Sequence, residues 1–295
     1  MNENRVPVEF VLPTGIGDVS WVYSKICHLP KLADFDITVY MPDEEPRRGE
    51  HFVRLLPEVK WGGYLDVASG SVMTQCVPSD WPPWWWADYA PLHRFGRVNV
   101  SANCHLEMGL RLEDWLPKIP TDFHYPMNLR TSGLPENKWL GLYVSSRVVL
   151  KDQLFWHIWT EDQWVEFADR VSYFIREPKW LMIGAGYDAD RTQAVGERLK
   201  ERGHVVQYML GQPLDMVIDA ISKLRYLFAY PSGIAILADV VNTPAISLLP
   251  THLTGLKSSY ADPKNLESGK YKCFVQPTVD EVVKWFDAMG RWHVR

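Results

Sequence analysis

Between Trp139 and Val275 short apolar runs alternate with helix-length amphipathic patterns, and this alternation constrains the fold more than any other feature of the chain. Strands separated by helices cannot pair through tight hairpins, so they line up in a parallel sheet with the helices packed on its faces. The expected strands are Trp139–Val144, Trp180–Ile183, Val205–Met209, Tyr226–Ala229 and Ala245–Leu248. Between them the spacing predicts a helix from Glu161, with Trp164, Phe167, Ala168 and Val171 on one face, and a charged helix from Asp190 to Glu201. Two more follow, one from Leu214 to Lys223 and a shorter one from Gly233 carrying Ile234, Leu237 and Val240. The pattern describes a five-stranded, doubly wound α/β unit.

The first half opens in the same way. An apolar run at Val8–Leu12 breaks into Pro13-Thr14-Gly15-Ile16-Gly17-Asp18, and a helix follows with Val22, Ile26 and Leu29 at i, i+4 and i+7 before Pro30 closes it. A second strand is expected at Asp36–Tyr40, a helix at His51–Leu56, and strand pieces at Val59 and Leu65–Ala68. From Ser79 to Pro126 proline, aromatic and polar residues show only weak periodicity. So long a stretch is a binding insertion or structure without a sequence signature. Ser, Gly, Pro and Asn gather at Thr131–Lys138, which reads as a linker. The expected organisation is therefore a first domain over 1–134, a second over 135–278, and a final helix in 279–295 that returns to the first domain. Two such lobes face one another across a crevice, with ligands at the carboxyl ends of the strands.

With 46% hydrophobic and 23% charged residues the chain has an ordinary globular composition. No apolar run approaches the roughly 18 residues that span a bilayer, and no basic-then-apolar leader opens the chain, so a cytoplasmic protein is expected. Cys27, Cys76, Cys104 and Cys273 are widely spaced and form no CxxC pair, which argues against a zinc site or a disulfide scaffold. No metal is expected. The net charge of −5 is concentrated in the first half, unlike the footprint of a protein that binds nucleic acid by neutralising phosphates.

Chemistry-bearing residues cluster where strands give way to helices. Gly15 and Gly17 allow close backbone approach to a ligand, and Asp18 sits in the first helical turn. It serves there either as a helix-dipole carboxylate or as a general base. Ser20 stands where a dinucleotide fingerprint has its third glycine, so a nicotinamide site is poorly supported. In the second half each expected strand ends in a small or polar turn. In order these are Ser145-Ser146-Arg147, Gly184-Ala185-Gly186-Tyr187-Asp188, Leu210-Gly211-Gln212-Pro213, Pro231-Ser232-Gly233 and Leu249-Pro250-Thr251. Any one of them is an ordinary connection; five along one sheet edge suggest a binding rim. Ser232-Gly233 offers either phosphate donors or a plain N-cap. Asp188 and Asp190 are either ribose acceptors or first-turn carboxylates. Trp84, Trp85, Trp86 and Tyr89, with Arg94 nearby, make a stacking surface for a sugar or a base, or fill a core.

Taken together these motifs resemble the heptosyltransferase group, glycosyltransferase family 9, whose members have two facing Rossmann-like domains in the GT-B arrangement. The resemblance implies that Asp18, after Gly17, is the base that activates an acceptor hydroxyl. It places Ser145-Ser146-Arg147 at the start of the second lobe and His157-Ile158-Trp159-Thr160 at the family's Lys-x-Trp-Pro stretch. Pro231-Ser232-Gly233 takes the place of the Asp-Thr-Gly element that holds the donor diphosphate. Gly184, Gly186, Asp188 and Gln212 complete the expected donor site. This chain departs from the family at His157, where lysine is usual, at Pro231, where an acid is usual, and at Ile236, where histidine is usual. The implied activity is inverting, metal-independent transfer of a sugar from a nucleotide-diphosphate donor, with no further cofactor. The acceptor is a glycan hydroxyl or a hydroxymethylated DNA base, the latter an activity of bacteriophage enzymes. A sugar-nucleotide epimerase and a non-catalytic nucleotide-sugar-binding protein are the rival readings.

Overall fold

A computed structural model describes residues 6–11, 15–27, 35–42, 49–65, 97–100, 122–145, 149–150, 153–154, 158–175, 177–249 and 261–293. The chain divides into two compact α/β units between Leu129 and Arg130.

In the first unit β1 (Val6–Val11) leads through Gly15 into α1 (Ile16–Ile26), followed by β2 (Phe35–Pro42), α2 (Gly49–Val53) and β3 (Val59–Leu65). These three strands are parallel, as the β-α-β pattern requires. The strand piece expected at Val59 opens β3, and of the piece expected at Leu65–Ala68 only Leu65 lies within the described residues; the register of β3 with β2 shifts between Val39 and Tyr40. On β2 the alternate residues Ile37, Val39 and Met41 are buried, the period-2 signature of a strand with one covered face. Within the stretch that shows no periodicity lies β4 (Arg97–Val100), which pairs antiparallel with β1 and gives the order β3-β2-β1-β4. It is structure without a sequence signature: four residues, Arg-Val-Asn-Val, are too few to show alternation, and an antiparallel edge strand is a common addition to a parallel sheet.

The residues after Thr121 pack onto α1. Asp122 N–H donates to Ser24 O at 2.7 Å, and Asn128 N–H to Leu55 O at 2.8 Å. The buried Tyr125 hydroxyl pairs with Ser20 Oγ at 2.6 Å, while its ring lies edge-on to Tyr23. Ser20, in the place of a fingerprint glycine, is thus a packing residue with a hydrogen-bond partner inside the unit.

The second unit has the five expected strands and a sixth. They are β5 (Trp139–Tyr143), β8 (Lys179–Gly184), β9 (Val205–Leu210), β10 (Tyr226–Ala229), β11 (Ala245–Leu249) and β12 (Tyr271–Val275). A two-residue hairpin, β6 (Val149–Leu150) and β7 (Gln153–Leu154), interrupts the chain after β5. The six strands form one all-parallel sheet in the order β12-β11-β10-β5-β8-β9. The crossovers are α3 (Glu161–Ser172), α4 (Ala189–Glu201), α5 (Leu214–Ser222) and α6 (Gly233–Val240), with α7 (Pro263–Glu267) before β12 and α8 (Val279–His293) after it.

The four inner strands β5, β8, β10 and β11 are buried on both faces, and the period-2 rule sorts their residues into two cores. Leu140, Leu142, Trp180, Met182, Tyr226, Phe228, Ile246 and Leu248 point to one side, against Trp164, Phe167 and Val171 of α3, Val195 and Leu199 of α4 and Phe286 of α8. Trp139, Tyr143, Leu181, Ile183, Leu227 and Ala229 point to the other, against Val217 and Ile221 of α5 and Ala235 and Ala238 of α6. Each large side chain so buried contributes about 1.5–3 kcal/mol. Thr160 starts α3 with a capping box, its hydroxyl accepting the Gln163 N–H while Gln163 Oε1 accepts the Thr160 N–H.

Two boundary expectations change in detail. The expected linker is docked: Arg130 pairs with Asp215, Ser132 donates both N–H and hydroxyl to Asp219 at 2.6 Å, and Leu134 is buried against α5. Four donors, two from Arg130 and two from Ser132, hold it against carboxylates where its composition suggests freedom. The last helix, α8, belongs to the second unit. Its Val279, Val282, Val283 and Phe286 enter that unit's core, and Arg170 of α3 meets its Asp280 at 2.7 Å.

Candidate functional site

Asp18 is the third residue of α1, whose N-cap Gly15 has extended backbone (φ −75, ψ 133) and whose first turn closes through Val19 N–H to Gly15 O at 3.1 Å. Gly15 and Gly17 are thus at the helix start, as the sequence implies. Glycine offers no side-chain acceptor at the cap.

In the second unit every strand is parallel, so every strand-to-helix turn leaves the same edge of the sheet. That topology alone gathers Ser145, Gly184, Gly186, Asp188, Gln212, Ser232 and Gly233 onto one rim. The winding runs outward from β5 through β8 to β9, then returns to the opposite side of β5 at β10. The reversal therefore lies between β5 and β10, where open α/β sheets form their ligand crevice. Ser145 follows β5, and Pro231-Ser232-Gly233 follows β10, so these two turns flank the switch point.

The rim residues have different roles. Ser232 is the N-cap of α6: its Oγ accepts the Ala235 N–H at 3.3 Å and donates to Tyr230 O at 3.2 Å. The structure shows the cap reading, and the cap fixes a helix start beside the switch point. Gly184 is a packing glycine. A Cβ there would come within 3.0 Å of Leu210 Cδ2 and 3.1 Å of Thr192 Oγ1. Gly186 is exposed, with open space where its Cβ would be. Gly211 has φ +60, which favours glycine, and turns the chain so that Gln212 is exposed beyond the edge strand.

Asp188 is buried and occupied within its own turn: Oδ2 accepts the Ala185 N–H at 3.2 Å and the Tyr143 hydroxyl at 3.3 Å. It takes the role of turn carboxylate, and Asp190, one helical step on, is exposed. Burial, the adjacent Tyr187 and Asp188, and hydrogen bonds to both hold the Tyr143 hydroxyl well above its ordinary value, so it stays protonated.

Behind the rim, Tyr230 and Trp159 tie two turns together. Trp159 is buried, its Nε1–H donating to Pro277 O at 2.8 Å, and the Arg191 guanidinium donates to Trp159 O at 2.7 Å. Arg191, in the first turn of α4, and Tyr187 were not singled out from sequence. An arginine three residues beyond a glycine turn is the signal that marks the first. Trp159-Thr160 of the expected donor motif therefore supplies an anchor and a helix cap. Ser146, Arg147 and His157 lie outside the described residues, as do the aromatic candidates Trp84, Trp85, Trp86 and Tyr89 with Arg94.

Among the described residues no three His, Cys, Asp or Glu side chains are placed to hold a metal ion, and no helix is long and apolar enough to cross a membrane.

The fold is similar to that of nucleotide-sugar glycosyltransferases. A glycosyltransferase family 9 protein from Veillonella parvula matches with a TM-score of 0.61 and 11% identity over 99% of both chains. The E. coli ADP-heptose LPS heptosyltransferase II matches with a TM-score of 0.62 and 13% identity over 99% of this chain and 100% of its own. The E. coli heptosyltransferase WaaC, solved with ADP, matches with a TM-score of 0.56 and 11% identity over 96% of this chain and 99% of its own. No protein-family model and no curated protein sequence matches the chain.

Proposed function

We propose that this protein transfers a sugar from a nucleotide-diphosphate donor to an acceptor hydroxyl, the second unit holding the donor and the first unit the acceptor. The observation that carries the reading is the position of two polar turns, at Ser145 and at Ser232-Gly233, on either side of the β5/β10 switch point. A helix start at that point suits a diphosphate through its N–H groups and dipole. The full-length fold likeness to heptosyltransferases, one of them solved with ADP, supports the same assignment.

In the proposed mechanism Asp18 removes the acceptor hydroxyl proton as the oxygen attacks the anomeric carbon from the face opposite the leaving group. The new glycosidic bond forms as the bond to the diphosphate oxygen breaks, and a single displacement inverts the anomeric centre. The charge that develops on the diphosphate is stabilised by the α6 N–H groups at Gly233, by the Ser232 hydroxyl once its proton turns from Tyr230 O to the phosphate, and by Arg147 and His157. Gly186 and Gln212 flank the donor further along the rim. No metal ion takes part, the helix start and basic side chains supplying the positive field. Trp84, Trp85, Trp86 and Tyr89 stack on the acceptor, which is a glycan, and Arg94 serves the same acceptor. Pro231 and Ile236, in place of an acid and a histidine, weigh against ADP-heptose as the donor.

Incubating the protein with ADP-, GDP- and UDP-sugars and candidate acceptors, followed by mass spectrometry, tests the proposal. Transfer releases the nucleoside diphosphate and adds a sugar mass to the acceptor. An isomerised donor instead identifies an epimerase, and a bound but unaltered donor identifies a binding protein; either result rejects the transferase.

A further inference from the structure

Large aromatic rings in the second unit are mostly interior, and among the described residues three are conspicuously exposed: Tyr173, Phe174 and Tyr187. Tyr173 and Phe174 follow the C-terminus of α3, which places them toward the amino edge of the sheet. Tyr187 follows β8 and stands on the carboxyl edge, the rim that holds Ser145 and Ser232. It is 43% exposed, and the neighbouring Gly186 leaves open space beside it.

The ring is also fixed from behind. Tyr187 sits in a single 3-10 turn, Gly186–Asp188, closed by Asp188 N–H to Ala185 O at 3.0 Å and by Ala185 N–H to the Asp188 carboxylate at 3.2 Å. That carboxylate accepts the buried Tyr143 hydroxyl, which is hydrogen-bonded in turn to Tyr187. A tyrosine that is hydrogen-bonded to a buried neighbour while nearly half of it remains exposed is a pre-ordered flat surface, and stacking on it costs little conformational entropy.

Its position along the rim matters as much as its exposure. β8 is separated from β10 by β5 alone, so Tyr187 lies two strand spacings, about 10 Å, from the α6 start. A ribose with its diphosphate bridges such a span, which puts the base at the β8 end when the phosphates are at the β10 end.

Building on the donor-site reading, we infer that Tyr187 is the stacking platform for the nucleobase of the donor. Stacking recognises a π-face in any base, so this residue contributes affinity for nucleotides as a class while hydrogen-bonding groups elsewhere choose among them.

Isothermal titration of the wild-type protein, Tyr187→Ala and Tyr187→Phe with ADP, GDP, UDP and inorganic pyrophosphate tests the inference. The alanine variant is expected to weaken the best-bound nucleotide by roughly tenfold to a hundredfold while leaving pyrophosphate affinity unchanged. The phenylalanine variant, which keeps the ring and loses the hydroxyl, is expected to bind that nucleotide within about threefold of wild type, by the same stacking argument. Undiminished nucleotide binding by Tyr187→Ala overturns the platform and leaves the donor site standing. Equal loss of nucleotide and pyrophosphate binding also overturns it, because the change then disturbs the rim as a whole. Wild-type protein that binds no nucleoside diphosphate refutes the donor site itself, and the platform with it.

Discussion

The Tyr230 hydroxyl grips the Trp159 backbone from both directions, accepting its N–H at 2.9 Å and donating to its carbonyl oxygen at 3.1 Å. A third bond, from Trp164 Nε1–H at 3.1 Å, completes the one donor and two acceptor sites a hydroxyl possesses. The residue that follows β10 thereby fixes the start of α3, and the two turns nearest the switch point are held as one piece.

Tyr230→Phe keeps the buried ring and removes all three bonds. Orphaned buried donors cost about 1–3 kcal/mol each, and two N–H groups lose their partner while Arg191 still serves the Trp159 carbonyl. A loss of about 2–4 kcal/mol is expected, read as a lower urea midpoint with an unchanged slope. An unshifted midpoint would show that water replaces the hydroxyl.

Ser232→Ala removes the α6 cap, and about 1 kcal/mol of stability should go with it. Ser232→Gly, which restores a tolerated cap without the hydroxyl, should recover most of that stability but not donor affinity. Equal donor KM in the glycine variant and wild type would make Ser232 a purely structural cap.

Asp18→Asn is nearly isosteric at the third position of α1 and retains the helix. Turnover should fall by on the order of 10²- to 10⁴-fold while donor binding is unchanged, the signature of a lost base. Activity close to wild type would transfer the base role to another residue.

The Arg130 hydrogen bond holds the Asp215 carboxyl below its ordinary range, despite the opposing effect of partial burial. A depressed native value means the contribution is fully present above the unfolded value near 4, and is lost as pH falls through the native one. The urea midpoint of wild type should therefore exceed that of Arg130→Met at pH 7, and the gap should shrink as pH falls below the unfolded carboxylate value and through the lower native one. The gap is expected to be small because Arg130 is mostly exposed. A gap that persists at low pH would show that Arg130 acts through packing of its stem.

Strands and helices of the second unit were legible because each obeys a local rule. Trp164, Phe167, Ala168 and Val171 recur at helical spacing, and runs such as Leu181-Met182-Ile183 are apolar because parallel strands are covered on both faces. Arg97–Val100 had no such signal, being a four-residue strand whose existence depends on pairing with β1. The docking of Arg130 and Ser132 was equally invisible, since Asp215 and Asp219 lie more than 80 residues away in sequence. Much the same holds for Asp188. Carboxylates in a first turn look alike in sequence, and only the approach of Tyr143 decided that this one faces inward.

By itself the sequence determined which residues stand at the ends of strands, because hydrophobic period and turn chemistry are written within a few residues of each other. The tertiary structure decided which of those ends are neighbours. Strand order follows from how the helices pack on the two faces of the sheet, and it is this order that puts Ser145 beside Ser232-Gly233 and Tyr187 one strand further along. Pairing between segments distant in the chain is a property of the whole packed sheet, and no local pattern encodes it.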